Sequence, residues 1–287
     1  TRLPKDVRAF FEEAIRRETS PAARNGFIHT LKSIDLSEAE RRPTCPDTGW
    51  PIFYFKIGNE ARLEGGLLAL EDITRRQVAR ATREGFLRST MKHPLTGQDP
   101  GTNVGMNIPD FTYQFVPGAD LQVTYVAKGG GSECFGGTRY RMIAFADGLA
   151  GIQKFIVDAY AASARAGAIC PPAILGVGIG GTANVAANLA KQAACLRLLG
   201  SRHAEPRIAK LETDLTGALN RLGIGAMGAG GDISAMAVHV EYAHTHIAGI
   251  AVATSSNCWI VRRCTHRIRA GGRVEALDDP DWFEGRP

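Results

Sequence analysis

The chain of 287 residues is long enough to bury a substantial core, as one large domain or two small ones. Hydrophobic residues at 44% and charged residues at 22% are ordinary for a soluble globular protein. The formal net charge is +5, and the basic residues are scattered. Without a block of like charges or an aromatic–basic stripe, this pattern argues against nucleic-acid binding and fits a small anionic substrate.

Hydrophobic periodicity predicts helices and strands along the whole chain. Helices are predicted at 4–19, 22–37, 67–91, 148–168, 183–199 and 206–222. Strands are predicted at 49–57, 111–116, 121–127, 173–177, 235–241 and 247–253, with late strands or an edge hairpin at 258–264 and 267–277. Pro117-Gly118 predicts a hairpin between the second and third strands. We expect one domain over residues 1–287, of class α/β (mixed α+β), with sheets surrounded by helices.

Six cysteines occur at positions 45, 134, 170, 195, 258 and 264, and all but the last two are widely spaced. No apolar run reaches the ~20 residues of a membrane span, and the charged, amphipathic N-terminus is unlike a signal peptide. We therefore expect a cytoplasmic chain with no membrane partner. In such a chain, widely spaced cysteines bind metal or react rather than form disulfides.

Three of these cysteines lie in predicted loops beside glycine, proline, serine or asparagine: Cys45, Cys170 and Cys258. Cys195 lies inside a predicted helix and is most simply a core thiol. Three loop thiolates without a histidine at zinc spacing resemble an iron–sulfur ligand set with one iron left open. The alternative from a different class is a non-enzymatic protein with a structural metal, in which Cys134 supplies a fourth ligand.

Two glycine-rich motifs indicate sites for anions. The G-x-G-x-x-G pattern from Gly176 to Gly181 follows a predicted strand and opens a helix, as in dinucleotide-binding proteins, but no acid ends a strand about 20 residues on. A nicotinamide dehydrogenase is therefore a third alternative, and a helix N-terminus that holds a carboxylate is another interpretation. The stretch 128–132, Lys-Gly-Gly-Gly-Ser, lacks the Walker order and predicts a turn or an amide nest.

Several motifs in a fixed order resemble one known family. The chain is similar, over about residues 5–265, to the class I (iron–sulfur) fumarate hydratases and L(+)-tartrate dehydratases, in their N-terminal domain or α subunit. The motifs are Cys45-Pro46-Asp47-Thr48-Gly49, Lys128-Gly129-Gly130-Gly131-Ser132-Glu133, Cys170-Pro171-Pro172, Gly176 to Gly181, Gly200-Ser201-Arg202-His203, Leu222-Gly223-Ile224-Gly225 and Asn257-Cys258-Trp259. Each motif is short, but their order is specific.

The resemblance implies a cofactor and a set of site residues. The family carries a [4Fe–4S] cluster, for which the matching ligands are Cys45, Cys170 and Cys258, with the fourth iron open to substrate. The further candidates implied are the catalytic residues Asp47 and His246, the carboxylate ligand Arg88 on the long predicted helix, the backbone of Gly130 and Gly131, and the substrate-binding residues Thr102 and Asn103.

The resemblance also implies the reaction and the partner. It predicts reversible hydration of a small dicarboxylate, with fumarate/(S)-malate favoured narrowly over L-tartrate, and with mesaconate also open. Only about twenty residues follow Arg267, so we expect the family's second domain, with its other catalytic groups, on a separate β subunit in an α₂β₂ enzyme. The resemblance does not assign the general base to a residue of this chain. The chain departs from the family pattern at Pro46, Cys134 and Ala226. Pro46 in particular leaves the choice of dicarboxylate open, and Cys134 is a rival thiol near the cluster.

Overall fold

The computed structural model describes residues 2–167 and 169–284, and it has the mixed α/β class that the sequence predicts. The chain divides into two compact units. The five-stranded unit comprises Thr1–Pro4, Ser37–Lys128 and Arg262–Pro287, and the four-stranded unit comprises Lys5–Leu36 and Gly129–Val261. Whether residues 1–287 act as a single domain is not tested by this division and stays a prediction.

The predicted helices and strands occur in the predicted order. The helices are α1 (Lys5–Arg17), α2 (Pro21–Glu40), α3 (Gly66–Arg83), α4 (Gly130–Cys134), α5 (Gly148–Arg165), α6 (Ala183–Leu196) and α7 (Pro206–Asn220). The strands are β1 (Trp50–Gly58), β2 (Asp110–Val116), β3 (Leu121–Lys128), β4 (Thr138–Ile143), β5 (Ala173–Ile179), β6 (Ala235–Tyr242), β7 (Ile250–Asn257), β8 (Arg263–Ile268) and β9 (Val274–Leu277). In the described residues, no helix combines the length and the apolar character that crossing a membrane requires.

The sheet of the five-stranded unit has the order β2-β1-β3-β8-β9, which corrects the predicted hairpin between β2 and β3. Both strands pair with β1, β2 in parallel and β3 antiparallel. The end of β1 lies beside the turn between β2 and β3. There the Gly58 N–H donates to the Asp120 backbone carbonyl and the Asn59 N–H donates to the Val116 carbonyl, each at 2.9 Å. The apolar strand β1 is buried along most of its length and lies between β2 and β3. A tight hairpin would have paired β2 directly with β3 and left no room for β1 between them.

Helix α3 ends eight residues before the predicted end at 91. Gly85 has φ of +81°, and the N–H groups of Phe86 and Leu87 both return to the Ala81 carbonyl. A glycine in the left-handed region that closes the last turn in this way is a common helix C-terminus. Arg88, predicted on the helix, therefore lies in the irregular segment after it.

The sheet of the four-stranded unit has the order β4-β7-β5-β6, with β5 parallel to β6 and antiparallel to β7. Strand β4 was not predicted, although the alternation of Arg139 and Arg141 with Tyr140 and Met142 is a strand signal. One face of the sheet packs on α5 and α7 through the main core of this unit. The alanines of α6 pack on the other face, against Ala251 and Ala253 of β7.

The glycines of the dinucleotide-like pattern make this second packing possible. A Cβ atom on Gly176 would overlap the Ala190 carbonyl of α6, and one on Gly178 would overlap the Ala186 carbonyl. The two glycines therefore let the helix backbone lie directly on the strand. The strand parallel to β5 is β6, which follows the two helices α6 and α7. The acid on β6, Glu241, binds the Arg197 guanidinium at 2.7 Å.

A buried carboxylate joins the α1–α2 corner to the loop before β6. Glu18 is fully buried, and its carboxylate accepts the N–H groups of Ser20, Asp232 and Ile233 at 2.9–3.1 Å. In return, Asp232 accepts the N–H and the hydroxyl of Thr19 at 3.0 and 2.6 Å, and these bonds lower the pKa of Asp232. A buried charge is tolerated when several backbone donors satisfy it.

The first prediction concerns this carboxylate. Glu18→Ala should lower the free energy of unfolding by about 3 kcal/mol, because it leaves three N–H groups without their acceptor. Urea denaturation followed by circular dichroism measures the change. The matched control is Glu13→Ala on α1, which ends one residue before Glu18; its ion pair with Arg16 is exposed and should matter little. Equal midpoints for the two variants would contradict the assignment.

Candidate active site

The turn around Cys45 lies just before β1 in the five-stranded unit, with the Cys45 side chain partly exposed. The Asp47 carboxylate accepts the Gly49 N–H at 3.0 Å, and the Arg262 guanidinium donates to the Asp47 carbonyl. Gly49 has φ of +82° and lies against the Lys128 backbone at the end of β3, where a Cβ atom would collide. The turn is therefore held on both sides, by Arg262 and by the end of β3.

Arg88 is tied to this turn through its backbone. The Arg88 N–H donates to the Thr48 hydroxyl at 3.1 Å, and that hydroxyl approaches the Arg88 carbonyl at 3.4 Å. Thr48 is 3% exposed, whereas the Arg88 side chain is exposed. The structure thus brings the predicted residues Asp47 and Arg88 together through Thr48. Sequence reasoning gave Thr48 no role, although it lies inside the Cys45 motif.

Asn103 holds the same segment from the other side. Its side chain is 1% exposed, and its amide oxygen accepts the N–H groups of Thr90 and Met91 at 2.8 and 3.2 Å. Its amide nitrogen donates to the Arg88 carbonyl at 2.8 Å and to the Thr82 hydroxyl at 3.1 Å. These four bonds use both amide hydrogens and both oxygen lone pairs. The geometry makes Asn103 a positioning residue for Arg88, and a direct contact with substrate stays a prediction.

Thr102, the neighbouring candidate, takes part in this arrangement through its backbone. Its carbonyl accepts the Thr82 hydroxyl at 3.1 Å, and its side chain is partly exposed. A role of the Thr102 hydroxyl in substrate binding also stays a prediction.

In the four-stranded unit, Cys170 and Cys258 lie at the same end of the sheet. Cys170 precedes β5 by three residues, and Cys258 directly follows β7. These strands are antiparallel, with Ile174 opposite Asn257, so the start of β5 and the end of β7 coincide. Cys170 is partly exposed and Cys258 is 8% exposed. Antiparallel pairing therefore brings two thiols that are 88 positions apart in the sequence to the same end of the sheet.

Helix α4, with Gly130 and Gly131, lies at this same end of the sheet. It leads into β4, which begins with Thr138 opposite Ser255 near the end of β7, and the Ser256 N–H donates to the Gly137 carbonyl at 2.9 Å. The Lys191 ammonium of α6 binds the Glu133 carboxylate of α4 at 2.9 Å. The predicted glycines and two of the predicted cysteines thus share one end of the four-stranded unit.

His246 lies at the opposite end of this sheet. It precedes β7, whereas Cys258 follows β7, and eight strand residues at roughly 3.3 Å each span about 26 Å. The loop around His246 adjoins the other end of β5, where the Gly181 N–H donates to the His244 carbonyl at 3.1 Å. The exposed His246 ring accepts the Ala248 N–H at 3.1 Å. A single chain does not bring His246 to Cys258.

The donor chemistry of the cysteines fits an iron–sulfur cluster. All six cysteines carry thiols, and Cys45, Cys170 and Cys258 all lie in loops. Cys195 is fully buried in α6, as predicted for a core thiol, and Cys134 ends α4 with an exposed side chain. Across residues 2–167 and 169–284, no group of three or more His, Cys, Asp or Glu side chains could hold a single metal ion. A [4Fe–4S] cluster binds each thiolate to a different iron, so its ligands need not converge on one ion.

Comparison with known proteins gives one consistent result. The family model "Fumarate hydratase (Fumerase)" matches residues 1–267. The "Putative L(+)-tartrate dehydratase subunit alpha" of Methanocaldococcus jannaschii is 39% identical over 274 residues, which cover 95% of this chain and 94% of that protein. The "L(+)-tartrate dehydratase subunit alpha" of Escherichia coli is 37% identical in strain UTI89 and 36% in strain K12, each over 96% of this chain and 89% of the relative. The chain belongs to the fumarate hydratase (Fumerase) family.

Proposed function

We propose that the chain is the α subunit of an iron–sulfur-dependent hydro-lyase that acts on a four-carbon or slightly larger dicarboxylate. The observation that carries the proposal is the family match over residues 1–267, within which Cys170, Cys258, Gly130 and Gly131 share one end of a sheet. An enzyme with reactive thiols suits a reducing compartment, and we assign it to the cytoplasm.

The proposed ligands of a [4Fe–4S] cluster are Cys45, Cys170 and Cys258. When bound, such a cluster supplies a Lewis-acidic iron toward the substrate hydroxyl and one carboxylate. The backbone of Gly130 and Gly131 has no side chains to obstruct a ligand and would approach the substrate closely. Each of these assignments rests on the family resemblance together with the donor chemistry of thiolates.

Arg88 is the proposed ligand of the other substrate carboxylate. Its guanidinium can form two parallel hydrogen bonds with a carboxylate. Because Thr48 and Asn103 hold the backbone of Arg88, the backbone loses little conformational entropy when the substrate binds. The bond from Gly49 orients the carboxylate of Asp47, which is proposed as an active-site acid and not as the general base. Substrate bound by Arg88 would therefore have an oriented carboxylate near it.

The partner is proposed to be a β subunit in an α₂β₂ enzyme, because the names of the relatives describe α subunits. The β subunit would hold the general base. Since β7 separates His246 from Cys258 within one chain, a catalytic role for His246 requires a second copy of the chain. An α₂β₂ assembly contains that copy.

Two substrates are candidates, and each is favoured by one observation. The relatives at 36–39% identity carry the name of L(+)-tartrate dehydratase, whereas the family model carries the name of fumarate hydratase. We propose L-tartrate and fumarate/(S)-malate as the pair to compare first, with mesaconate as a methylated third.

The second prediction tests the cluster. Cys45→Ser, Cys170→Ser and Cys258→Ser should each lose most of the iron that the wild-type chain retains after anaerobic reconstitution, because serine is a poor iron ligand. Cys134→Ser and Cys264→Ser are the controls and should retain it. Iron analysis and visible absorption measure the content. Loss of iron in Cys134→Ser would instead favour the structural site with four protein ligands.

The third prediction tests Arg88. Arg88→Gln should lower kcat/KM by about 100-fold, because a charged two-bond contact is worth roughly 2–3 kcal/mol. The control is Arg83→Gln, an exposed arginine in the last turn of α3, which should leave kcat/KM unchanged. Steady-state kinetics of the reconstituted enzyme measures both. Unchanged kinetics for Arg88→Gln would remove this residue from the site.

The fourth prediction concerns partner and substrate together. The purified chain with its cluster should show no hydro-lyase activity, and adding a β subunit of the family should restore it, because the general base is proposed to lie there. Product formation from L-tartrate, (S)-malate and mesaconate is followed by absorbance. Substantial activity of the chain alone would refute the need for a partner. Binding of a nicotinamide cofactor to cluster-free protein would support the dehydrogenase alternative.

A further inference from the structure

Cys170 has an unusual backbone conformation. Its φ is +50°, in the left-handed region that residues other than glycine rarely enter. Such a conformation is energetically unfavourable for a residue with a side chain and persists only where the surrounding structure enforces it. The local bond from the Cys170 N–H to Gly167 is long, at 3.5 Å, so other contacts must hold this loop.

One of these contacts comes from the glycine-rich loop at residues 223–231. The Met227 N–H donates to the Pro171 carbonyl at 2.8 Å, directly beside Cys170. Met227 itself has φ of +53°, and the Gly230 N–H closes the loop on the Ile224 carbonyl at 2.9 Å. The loop therefore presents a backbone donor to the cysteine segment at a defined position.

The second contact comes from Tyr160 of α5. The side chain is 1% exposed, and its hydroxyl donates to the Ser234 carbonyl at 2.5 Å while accepting the Ala173 N–H at 3.2 Å. Ala173 begins β5, three residues after Cys170. The Tyr160 hydroxyl thus links the segment after the glycine-rich loop to the segment after Cys170.

The glycine-rich loop is anchored at both ends. The Ser234 hydroxyl accepts the N–H groups of Ile224 and Gly225 at 2.9 and 3.1 Å. The buried carboxylate of Glu18 accepts the N–H groups of Asp232 and Ile233. A chain of bonds therefore leads from the α1–α2 corner through this loop to the Pro171 carbonyl and, through Tyr160, to the Ala173 N–H.

We propose that Tyr160 and the loop 223–231 are positioning elements that hold Cys170 in its left-handed conformation for the cluster, with Glu18 as their anchor. This inference rests on the proposed role of Cys170 as a ligand. It assigns a task to the glycine-rich motif and to two buried side chains that do not themselves touch the cluster or the substrate.

The fifth prediction tests Tyr160→Phe, which removes only the hydroxyl. The reconstituted variant should lose its iron to a chelator about tenfold faster than the wild type, because the substitution removes both buried hydrogen bonds of the hydroxyl, one to Ser234 and one from Ala173. In cluster-free protein, the rate at which iodoacetamide alkylates Cys170, read by mass spectrometry, should also change. The electron paramagnetic resonance signal of the oxidised cluster should shift.

The matched control is Thr216→Val. It deletes a hydroxyl that accepts the Val238 N–H at 3.0 Å in the middle of β6, so it lowers the stability of the same unit without touching the cysteine segment. It should leave chelation rate, alkylation rate and spectrum as in the wild type. Glu18→Gln is the second variant, should Tyr160→Phe not fold, and is expected to change the same readouts in the same direction.

The outcomes separate this inference from the proposed function. If Cys170→Ser loses iron but Tyr160→Phe and Glu18→Gln behave like Thr216→Val, the positioning role is wrong and the ligand role stands. If Cys170→Ser keeps its iron, the ligand role fails and the positioning role fails with it. A faster loss of iron in Tyr160→Phe than in Thr216→Val supports both.

Discussion

The antiparallel pairing of β5 with β7 is the constraint on which the candidate site in the four-stranded unit depends. It sets the start of one strand beside the end of the other, so that Cys170 and Cys258 lie at one end of the sheet. The same register leaves His246 at the opposite end, about 26 Å away by strand length. One element of backbone geometry therefore decides which candidate residues of this unit lie at the same end of the sheet and which lie at opposite ends.

The glycines of this chain serve different physical purposes in motifs that look alike. Gly176 and Gly178 allow α6 to lie on β5, so a pattern typical of dinucleotide binding is used here for helix–strand packing. The glycines of the loop 223–231 instead permit a compact loop whose backbone reaches Pro171. In both places the absence of a side chain lets two backbones approach, and no ligand is needed to explain it.

Polar side chains hold the irregular segments that carry the candidate residues. Thr48 and Asn103 bind the backbone of Arg88, and Glu18 binds the loop before β6. These side chains are buried and satisfied, whereas the Arg88 side chain is exposed. Rigid support beneath an exposed functional group lowers the entropy lost on binding, which is why such supporting residues matter as much as the group itself.

The sequence by itself determined the order of the elements other than α4 and β4, the mixed α/β class and the family, because periodicity and short ordered motifs are local properties of the chain. It also indicated that Cys195 is a core thiol. Only the tertiary structure decided that β1 lies between β2 and β3, because strand pairing depends on which strand is buried on both faces. It also decided the end of α3 and the burial of Asn103, since both depend on contacts between segments distant in sequence.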